Sequence, residues 1–251
     1  MHQKVIATIE ARMGSSRLPN KVLLEANGKP MLQHMVERVQ ESKLVDEIVI
    51  ATVIGCDNDP IIDLANELNI KYYRGSEDNV LSRVVEAAQS HQGQIIVQLT
   101  GDCPLIDPDI IDNCVEIYLK NDWDYVANEL IRSFPIGFDV AVVSVDLLKS
   151  TLEEPDLSLL DQEHVTTYIV DRPKKYKNFN VKAPSYLDHP ELEVTLDTFE
   201  DYQLLCKIIE ELIPKKPSFR AKDVIDFLLS NPDITMINNS VKRKSKYEST
   251  Y

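Results

Sequence analysis

Three cations follow an apolar stretch near the start of the chain: Arg12, Arg17 and Lys21 lie in a loop of small residues directly after residues 5–9. Arginine binds phosphate through paired hydrogen bonds, and lysine contributes a compact positive charge. Because ligands of α/β sheets bind outside the carboxyl ends of the strands, a nucleoside triphosphate is the simple polyanion that fits best. The residues alone do not separate this interpretation from a solvated loop whose arginines pair with acids elsewhere.

The loop matches neither of the common phosphate-binding motifs. It lacks the G-x-x-x-x-G-K-[ST] pattern of a P-loop and the G-x-G-x-x-G pattern of dinucleotide-binding folds. Gly14 would allow the backbone to approach a ligand closely, and Ser15 and Ser16 would add hydrogen-bond donors. The loop therefore predicts an anion site of another type.

Two aspartates end apolar segments further along the chain. Asp102 follows a predicted strand, and Asp197 follows the apolar residues 193–196. A carboxylate at either place could reach a Mg²⁺ ion that bridges phosphates. Both aspartates also have a purely structural interpretation, because Gly-Asp-x-Pro is typical of turns and Asp197 could cap the next helix. If Thr198 and Asp201 form a capping box instead, Asp197 is free for another role.

Strand-like and helix-like segments alternate along the chain, and continuous apolar runs indicate strands that are covered on both faces. The pattern predicts strands at 5–9, 47–52, 71–73, 94–99, 124–127, 139–143, 180–183 and 193–196. It predicts helices at 31–42, 60–68, 78–91, 108–119, 145–153, 158–171, 199–212 and 221–230. We expect an α/β fold with a mostly parallel, doubly wound sheet, and one domain over residues 1–237. Asp107, before Pro108, is a predicted helix N-cap.

Composition limits the class of protein. The 251 residues are 43% hydrophobic and 27% charged, which is ordinary for a globular protein, and no apolar run suits a membrane span or a signal peptide. We expect a cytoplasmic protein. The net charge of −14 argues against nucleic-acid or acidic-membrane partners, although residues 1–30 carry an excess of three positive charges. Residues 238–251 form a polar, basic tail that we expect to be solvated.

The four cysteines show no C-x-x-C pairing and no histidine at metal-ligand spacing. We expect Cys56, Cys103, Cys114 and Cys206 to be buried or partly buried free thiols, and we expect no zinc site.

Six motifs together resemble the cytidylyltransferase family that includes CMP-3-deoxy-manno-octulosonate and CMP-sialate synthetases, and look closest to its SpsF-like spore-coat polysaccharide branch. They occur in the family's order and cover about residues 4–205. The motifs are Ala11-Arg-Met-Gly-Ser-Ser-Arg-Leu-Pro-Asn-Lys21, Arg74-Gly-Ser-Glu-Asp78 through Arg83, Thr100-Gly-Asp-Cys-Pro-Leu-Ile106, Gly137-Phe-Asp-Val140, Glu163-His-Val-Thr166 and Leu196-Asp-Thr198.

The resemblance implies a GT-A-like nucleotidyltransferase fold with a small dimerisation insert at about 130–190. It implies Mg²⁺-dependent transfer of CMP from CTP to a sugar, a 2-keto sugar acid in most members, for surface polysaccharide or glycan synthesis. Carried over by position, the site residues fall into four groups. They are Arg12, Lys21 and Asp102 for catalysis; Ala11, Arg12, Gly14, Ser15, Arg17, Lys21, Arg74, Ser76 and Asp78 for the nucleotide; Asp102 and Asp197 for the metal; and Phe138, Asp139 and His164 for the sugar.

The resemblance also implies a homodimer in which the helix containing Glu163 and His164 reaches the neighbouring subunit's site. A lone histidine in a helical pattern is more often a packed or surface residue. Two positions depart from the family pattern. Asn20 stands where the family usually has glycine, and asparagine tolerates left-handed backbone. Cys103 stands where octulosonate enzymes usually carry glutamate, which weakens the transfer of their sugar specificity.

Two rival functions stay open from the sequence. A glycosyltransferase of the same fold would normally carry a D-x-D metal motif, but Gly101-Asp-Cys103 supplies one aspartate only. A nucleotide- or sugar-binding protein without catalysis is the other rival, and the presence of both Asp102 and Asp197 argues against it.

Overall fold

The computed structural model describes residues 2–242 and contains nine strands. In chain order they are β1 Val5–Glu10, β2 Glu25–Ala26, β3 Lys29–Pro30, β4 Glu47–Val53, β5 Lys71–Gly75, β6 Ile95–Thr100, β7 Tyr125–Ala127, β8 Ala141–Ser144 and β9 Asn178–Asn180. Seven of them form one sheet in the order β5-β4-β1-β6-β8-β7-β9, and β2 pairs with β3 in a separate hairpin. Within the large sheet only β8 runs against its neighbours, so the prediction of a mostly parallel sheet is confirmed.

Ten helices accompany the strands among the described residues. They are α1 Met31–Val39, α2 Asp59–Glu67, α3 Val80–Ser90, α4 Pro108–Lys120, α5 Val145–Thr151, α6 Leu159–Glu163, α7 Thr167–Val170, α8 Phe199–Leu212, α9 Ala221–Ser230 and α10 Pro232–Thr235. None of the helices between residues 2 and 242 has the length and apolar character needed to cross a bilayer.

Helices cover both faces of the sheet, and β1 shows how the alternation of side chains divides them. Ala7 and Ile9 belong to the large core that packs against α1, α4, α8 and α9. Ile6 points to the opposite face and packs with Ala87 of α3. Because side chains alternate along a strand, Glu10 lies on the same face as Ile6, toward α3.

Three predicted elements differ from the structure. Residues 193–196 form a single bridge between Glu193 and Ile136 rather than a strand of the sheet. The segment is apolar because Val194 and Leu196 are fully buried, but its hydrogen bonds go to loop residues. The strand predicted at 180–183 lies earlier, at β9. The helix predicted at 158–171 is two short helices, separated at His164 by non-helical dihedral angles.

The described cysteines are all free, but the prediction of burial is wrong for Cys56, which is exposed in the short turn after β4. The basic residues of the predicted tail lie outside the described residues, apart from Lys242. Asn238, at the start of that tail, is buried and donates a hydrogen bond to Asp201 at 2.9 Å.

Asp107 is the predicted N-cap of α4, and the structure confirms it: the carboxylate accepts the backbone N–H of Asp109 at 2.8 Å. Its second oxygen accepts the N–H of Ala221 at 2.5 Å, which joins α9 to α4.

Because Asp107 is buried, we expect Asp107→Ala to lower the free energy of unfolding by about 2–3 kcal/mol. Urea unfolding measures this. The control is Asp146→Ala, at an exposed aspartate in the first turn of α5, which should lower the free energy of unfolding by less than about 0.5 kcal/mol. An equal loss of stability in the two variants would contradict the role of Asp107 in both capping α4 and joining it to α9.

Candidate active site

The loop after β1 folds back on itself at the carboxyl edge of the sheet. Asn20 adopts a left-handed conformation with φ 57° and ψ 22°, so the expectation that asparagine tolerates this backbone is confirmed. Its N–H donates to the carbonyl of Met13 at 3.2 Å and closes the loop. The N–H of Met13 in turn donates to Asn58 Oδ1 at 3.0 Å, which fixes the loop to the turn after β4. Lys21 follows at the start of a 3-10 turn.

Lys21 lies between the two aspartates that the sequence singled out. Its Nζ is 2.8 Å from Asp197 Oδ1 and 3.4 Å from Asp102 Oδ2. The two carboxylates are held together by the backbone, because the N–H of Leu196 donates to the carbonyl of Asp102 at 2.8 Å. The structure thus brings together three residues from distant parts of the chain at the ends of β1 and β6.

The charges in this cluster stabilise one another. Burial by itself lowers the pKa of Lys21, but the charges and hydrogen bonds of Asp102 and Asp197 outweigh it and the pKa is raised. Burial likewise opposes ionisation of Asp102, yet the charge of Lys21 and hydrogen bonds from Thr100, Lys21 and Cys103 hold its pKa below the ordinary value. The ammonium of Lys21 and the carboxylate of Asp102 are therefore both ionised at neutral pH.

The two arginines of the loop point to different acids. Arg17 lies 3.1 Å from Asp197 Oδ2 and so joins the cluster around Lys21. Arg12 lies 3.1 Å from Glu77 Oε1, and both of these side chains are more than half exposed. The Arg12–Glu77 pair connects the loop after β1 to the loop after β5, across the carboxyl edge of the sheet. The arginines do pair with acids, as the alternative interpretation expected, but at least one of those acids belongs to the site.

The carboxylate pair suits a small divalent cation. Asp102 and Asp197 both approach a single point, the position of Lys21 Nζ, and hard oxygen ligands are those that Mg²⁺ prefers. Between residues 2 and 242 no group of three or more His, Cys, Asp or Glu side chains could hold a metal ion by itself. The donor set therefore fits an ion that takes its remaining ligands from phosphate and water, as Mg²⁺ commonly does.

Ala11, Gly14 and Ser15 complete the part of the loop predicted to bind the nucleotide. Ala11 is buried at the end of β1, while Gly14 is exposed. A Cβ added to Gly14 would meet nothing within 4 Å, so the packing of the chain leaves open space beside it. Ser15 Oγ accepts the N–H of Leu18 at 3.4 Å and supports the turn. Their contact with a nucleotide stays a prediction.

The loop after β5 contains Arg74, Ser76 and Asp78. Arg74 is held by the turn after β4 and by the start of α2, because its guanidinium contacts the carbonyl of Gly55 at 3.1 Å and Asp59 at 2.5 Å. Ser76 Oγ accepts the N–H of the residue that caps α3, and Asp78 is exposed. Arg74 therefore binds acceptors other than those around Lys21. The loop after β5 contacts Arg12 through the side chain of Glu77.

The segment predicted to contact the sugar divides into a buried and an accessible part. Phe138 is fully buried in the core, where its ring anchors the segment, and its contact with a sugar stays a prediction. Gly137 has φ +108°, and a Cβ there would lie 2.8 Å from the backbone of Val194, so only glycine fits. This tight contact places Phe138 and Asp139 beside the segment that leads to Asp197.

Asp139 remains a candidate for substrate contact, and it pairs with Arg132. Burial raises the pKa of Asp139; the charge of Arg132 opposes this and that of Asp102 adds to it, so the pKa is raised overall. Asp139 thus lies within electrostatic reach of the Lys21 cluster.

His164 ends α6 and is partly buried. Among residues 2–242 the structure describes no hydrogen bond from its side chain to the cluster around Lys21. Its predicted role in a neighbouring subunit's site stays a prediction.

Sequence reasoning missed three polar residues at this edge of the sheet: Glu10, Gln98 and Arg132. Glu10 ends β1 and accepts a hydrogen bond from Gln98 Nε2 at 2.7 Å. Burial raises the pKa of Glu10 to about 7. The sequence does contain a signal for Glu10 and Gln98, since a charged and an amide side chain stand within otherwise apolar strands. Arg132 gave no comparable signal, because it lies in a segment between predicted strands.

The chain is similar to several known proteins. A family model described as Cytidylyltransferase matches residues 6–231. The spore coat polysaccharide biosynthesis protein SpsF of Bacillus subtilis is 33% identical over 233 residues, which cover 91% of this chain and 95% of SpsF. A 3-deoxy-manno-octulosonate cytidylyltransferase of Trichlorobacter lovleyi is 36% identical over 120 residues, 47% of this chain and 46% of that protein. The solved structure of a cytidylyltransferase from Leptospira borgpetersenii has a TM-score of 0.89 and 32% identity, covering 96% of this chain and all of that one.

Proposed function

The chain belongs to the cytidylyltransferase family, and on that premise we propose that it transfers CMP from CTP to a sugar hydroxyl and releases pyrophosphate. The observation that carries the proposal is the position of Lys21 Nζ between Asp102 and Asp197, with Arg17 beside them. Cations for a triphosphate and carboxylates for a metal ion meet there at the carboxyl ends of β1 and β6, where α/β folds bind ligands.

In this proposal Arg12, Arg17 and Lys21 bind the triphosphate, and Asp102 and Asp197 hold Mg²⁺. When bound, Mg²⁺ supplies charge neutralisation at the phosphates. Lys21 and Arg17 exchange a carboxylate partner for phosphate oxygens, so each keeps an anionic partner that orients it. Their fixed positive charges then stabilise the negative charge that develops on the departing pyrophosphate.

The reaction is an in-line displacement at the α-phosphorus of CTP. The oxygen of a sugar hydroxyl forms the new P–O bond and releases its proton to solvent, while the bond to the pyrophosphate oxygen breaks. Phosphoryl-type transfer needs positioning and charge stabilisation more than covalent catalysis by the protein. Asp139 is our candidate for orienting the sugar, with its carboxylate fixed by Arg132.

The acceptor that we propose is a 2-keto sugar acid, used in the synthesis of a surface polysaccharide or glycan. The similarity to a 3-deoxy-manno-octulosonate cytidylyltransferase supports the acid, and the name of SpsF supports the polysaccharide. Cys103, close to Asp102, gives this chain a different acceptor environment from the octulosonate enzymes. We further propose a cytoplasmic homodimer in which His164 approaches the neighbouring subunit's sugar.

The test is release of pyrophosphate from CTP with Mg²⁺ and a panel of 2-keto sugar acids. We expect turnover that requires CTP, Mg²⁺ and one acceptor together. Release of a nucleoside diphosphate from a nucleotide sugar would indicate a glycosyltransferase. Calorimetric binding of CTP without turnover on any sugar would indicate a binding protein. Sedimentation of the purified chain tests the dimer separately.

A further inference from the structure

Asn238 is a buried polar residue near the end of the described part of the chain, in the 3-10 turn Met236–Asn238 that follows α10. The neighbouring Ile237 packs against the large core, and the carbonyl of Asn238 accepts the N–H of Val241 at 3.0 Å. Packing and hydrogen bonding therefore fix the backbone on both sides of Asn238. The proposed reaction gives this residue no role.

The side-chain amide of Asn238 donates two hydrogen bonds to one segment of the chain. Its Nδ2 lies 3.1 Å from the carbonyl oxygen of Glu193 and 2.9 Å from Asp201 Oδ1. An amide nitrogen carries two hydrogens, so it can serve both acceptors at once. Glu193 and Asp201 are the two ends of residues 193–201, and Asp197 lies between them. Asn238 therefore joins both ends of the segment that contains a proposed metal ligand.

Asp201 connects Asn238 to the backbone of Asp197. Thr198 and Asp201 form the predicted capping box of α8, because Thr198 Oγ1 accepts the N–H of Asp201 at 3.3 Å and Asp201 Oδ2 accepts the N–H of Thr198 at 2.9 Å. The same Oδ2 also accepts the N–H of Asp197 at 3.1 Å, a bond that a capping box does not require. The carboxylate that Asn238 contacts is thus the one that fixes Asp197.

Three consecutive N–H groups have partners around the proposed metal ligand. The N–H of Leu196 donates to the carbonyl of Asp102 at 2.8 Å, and those of Asp197 and Thr198 donate to Asp201. These bonds set the distance between the two proposed metal ligands, because one joins their backbones and the others fix Asp197 to the start of α8. Mg²⁺ requires nearly ideal ligand geometry, so displacement of one carboxylate weakens its binding.

Resting on the proposed function, we propose that Asn238 is a positioning residue for the metal site. Its amide fixes residues 193–201 so that the carboxylate of Asp197 stays beside that of Asp102, around the position of Lys21 Nζ. Among residues 2–242 the structure describes no hydrogen bond from Asn238 to either carboxylate, so Asn238 acts through Asp201 and the carbonyl of Glu193. Groups that orient a metal ligand from behind commonly change metal affinity by roughly 10- to 100-fold when they are removed.

The alternative is that Asn238 only stabilises the fold, as a buried and hydrogen-bonded asparagine can do anywhere. The two roles differ in what the protein loses with the amide. A positioning residue affects the contribution of Mg²⁺ and leaves the loop after β1 unchanged. A purely structural residue affects both alike.

The experiment is calorimetric binding of CTP by Asn238→Ala over a series of Mg²⁺ concentrations, and in a chelator without Mg²⁺. In the unaltered protein we expect Mg²⁺ to strengthen the binding of CTP. In Asn238→Ala the Mg²⁺ concentration that gives half of this effect should rise roughly tenfold. Binding of CTP without Mg²⁺ should stay within about twofold, because no described contact of Asn238 reaches Arg12, Arg17 or Lys21.

Two further variants complete the comparison. Asn238→Asp keeps the shape of the side chain but loses both donor hydrogens, so it should show the same shift without leaving a cavity. Asn231→Ala is the matched control, since Asn231 is a partly buried asparagine between α9 and α10 whose Nδ2 donates to the carbonyl of Phe227 at 2.8 Å. None of its described hydrogen bonds goes to residues 193–201, and its Mg²⁺ requirement should not change. Thermal unfolding of each variant shows that it is folded at the temperature of the titrations.

An unchanged Mg²⁺ requirement in both variants of Asn238, or an equal loss of CTP binding with and without Mg²⁺, would overturn the role of Asn238. The same shift in Asn231→Ala would also overturn it, because the effect would then belong to the whole C-terminal region. Release of pyrophosphate by the unaltered protein tests the proposed function separately, and that function stands if only the results on Asn238 disagree. Absence of any CTP binding by the unaltered protein would overturn both.

Discussion

Asp102→Asn is expected to slow pyrophosphate release from CTP by about 10³-fold at saturating Mg²⁺, which corresponds to roughly 4 kcal/mol of lost transition-state stabilisation. Asparagine keeps the shape of the side chain but loses the charge that would bind the metal ion. The Mg²⁺ concentration for half-maximal rate should rise as well, since one of two carboxylate ligands is gone. Steady-state rates over a Mg²⁺ titration measure both effects.

The fold should survive this change. The N–H of Leu196 bonds to the backbone carbonyl of residue 102, not to its side chain, so the two segments stay joined. Asp63→Asn, on the exposed face of α2, is the matched control and should leave the rate within about twofold. Full activity in Asp102→Asn, with an unchanged Mg²⁺ requirement, would remove Asp102 from the metal site.

The strands that position this aspartate could be predicted from the sequence because they are continuous apolar runs. The strands expected at 5–9 and 94–99 are β1 and β6, displaced by at most one residue at each end. The segment 193–196 was misassigned for a physical reason. Residues 194–196 are all buried, as in a strand covered on both faces, but the N–H groups of Val194 and Leu196 bond to Ile136 and Asp102 in loops. Periodicity reports burial, and it does not identify a hydrogen-bond partner.

The sequence identified several residues of the candidate site, but it did not predict which of them contact one another. Each aspartate could be recognised at the end of an apolar segment, but nothing in the sequence indicated that Lys21 lies between them. Glu10 was overlooked because an acid after five residues of apolar strand is easily assigned to the loop. The pairing of Arg132 with Asp139 depends on how the segment before Gly137 folds, which the sequence leaves undetermined.

Lys21→Met is the second substitution with a large expected effect. It should strengthen the binding of Mg²⁺ and slow the turnover of CTP. In the structure the ammonium of Lys21 already neutralises Asp102 and Asp197, so a metal ion must displace it. Without the ammonium, Mg²⁺ should bind the nucleotide-free protein about tenfold more tightly, because Asp102 loses its cation and Asp197 keeps only Arg17. CTP turnover should fall by about 10²–10³-fold, because a cation for the phosphates is lost.

These opposite shifts distinguish a shared binding point from two separate sites. If Lys21 leaves the carboxylates for the phosphates when CTP binds, Mg²⁺ and CTP strengthen each other's binding in the unaltered protein, and that coupling weakens in Lys21→Met. Calorimetric titration of Mg²⁺ with and without CTP measures the coupling. Lys21→Arg, which keeps the charge, should retain most of it. Mg²⁺ binding to Lys21→Met that is no tighter than to the unaltered protein would show that the two aspartates do not share the ion.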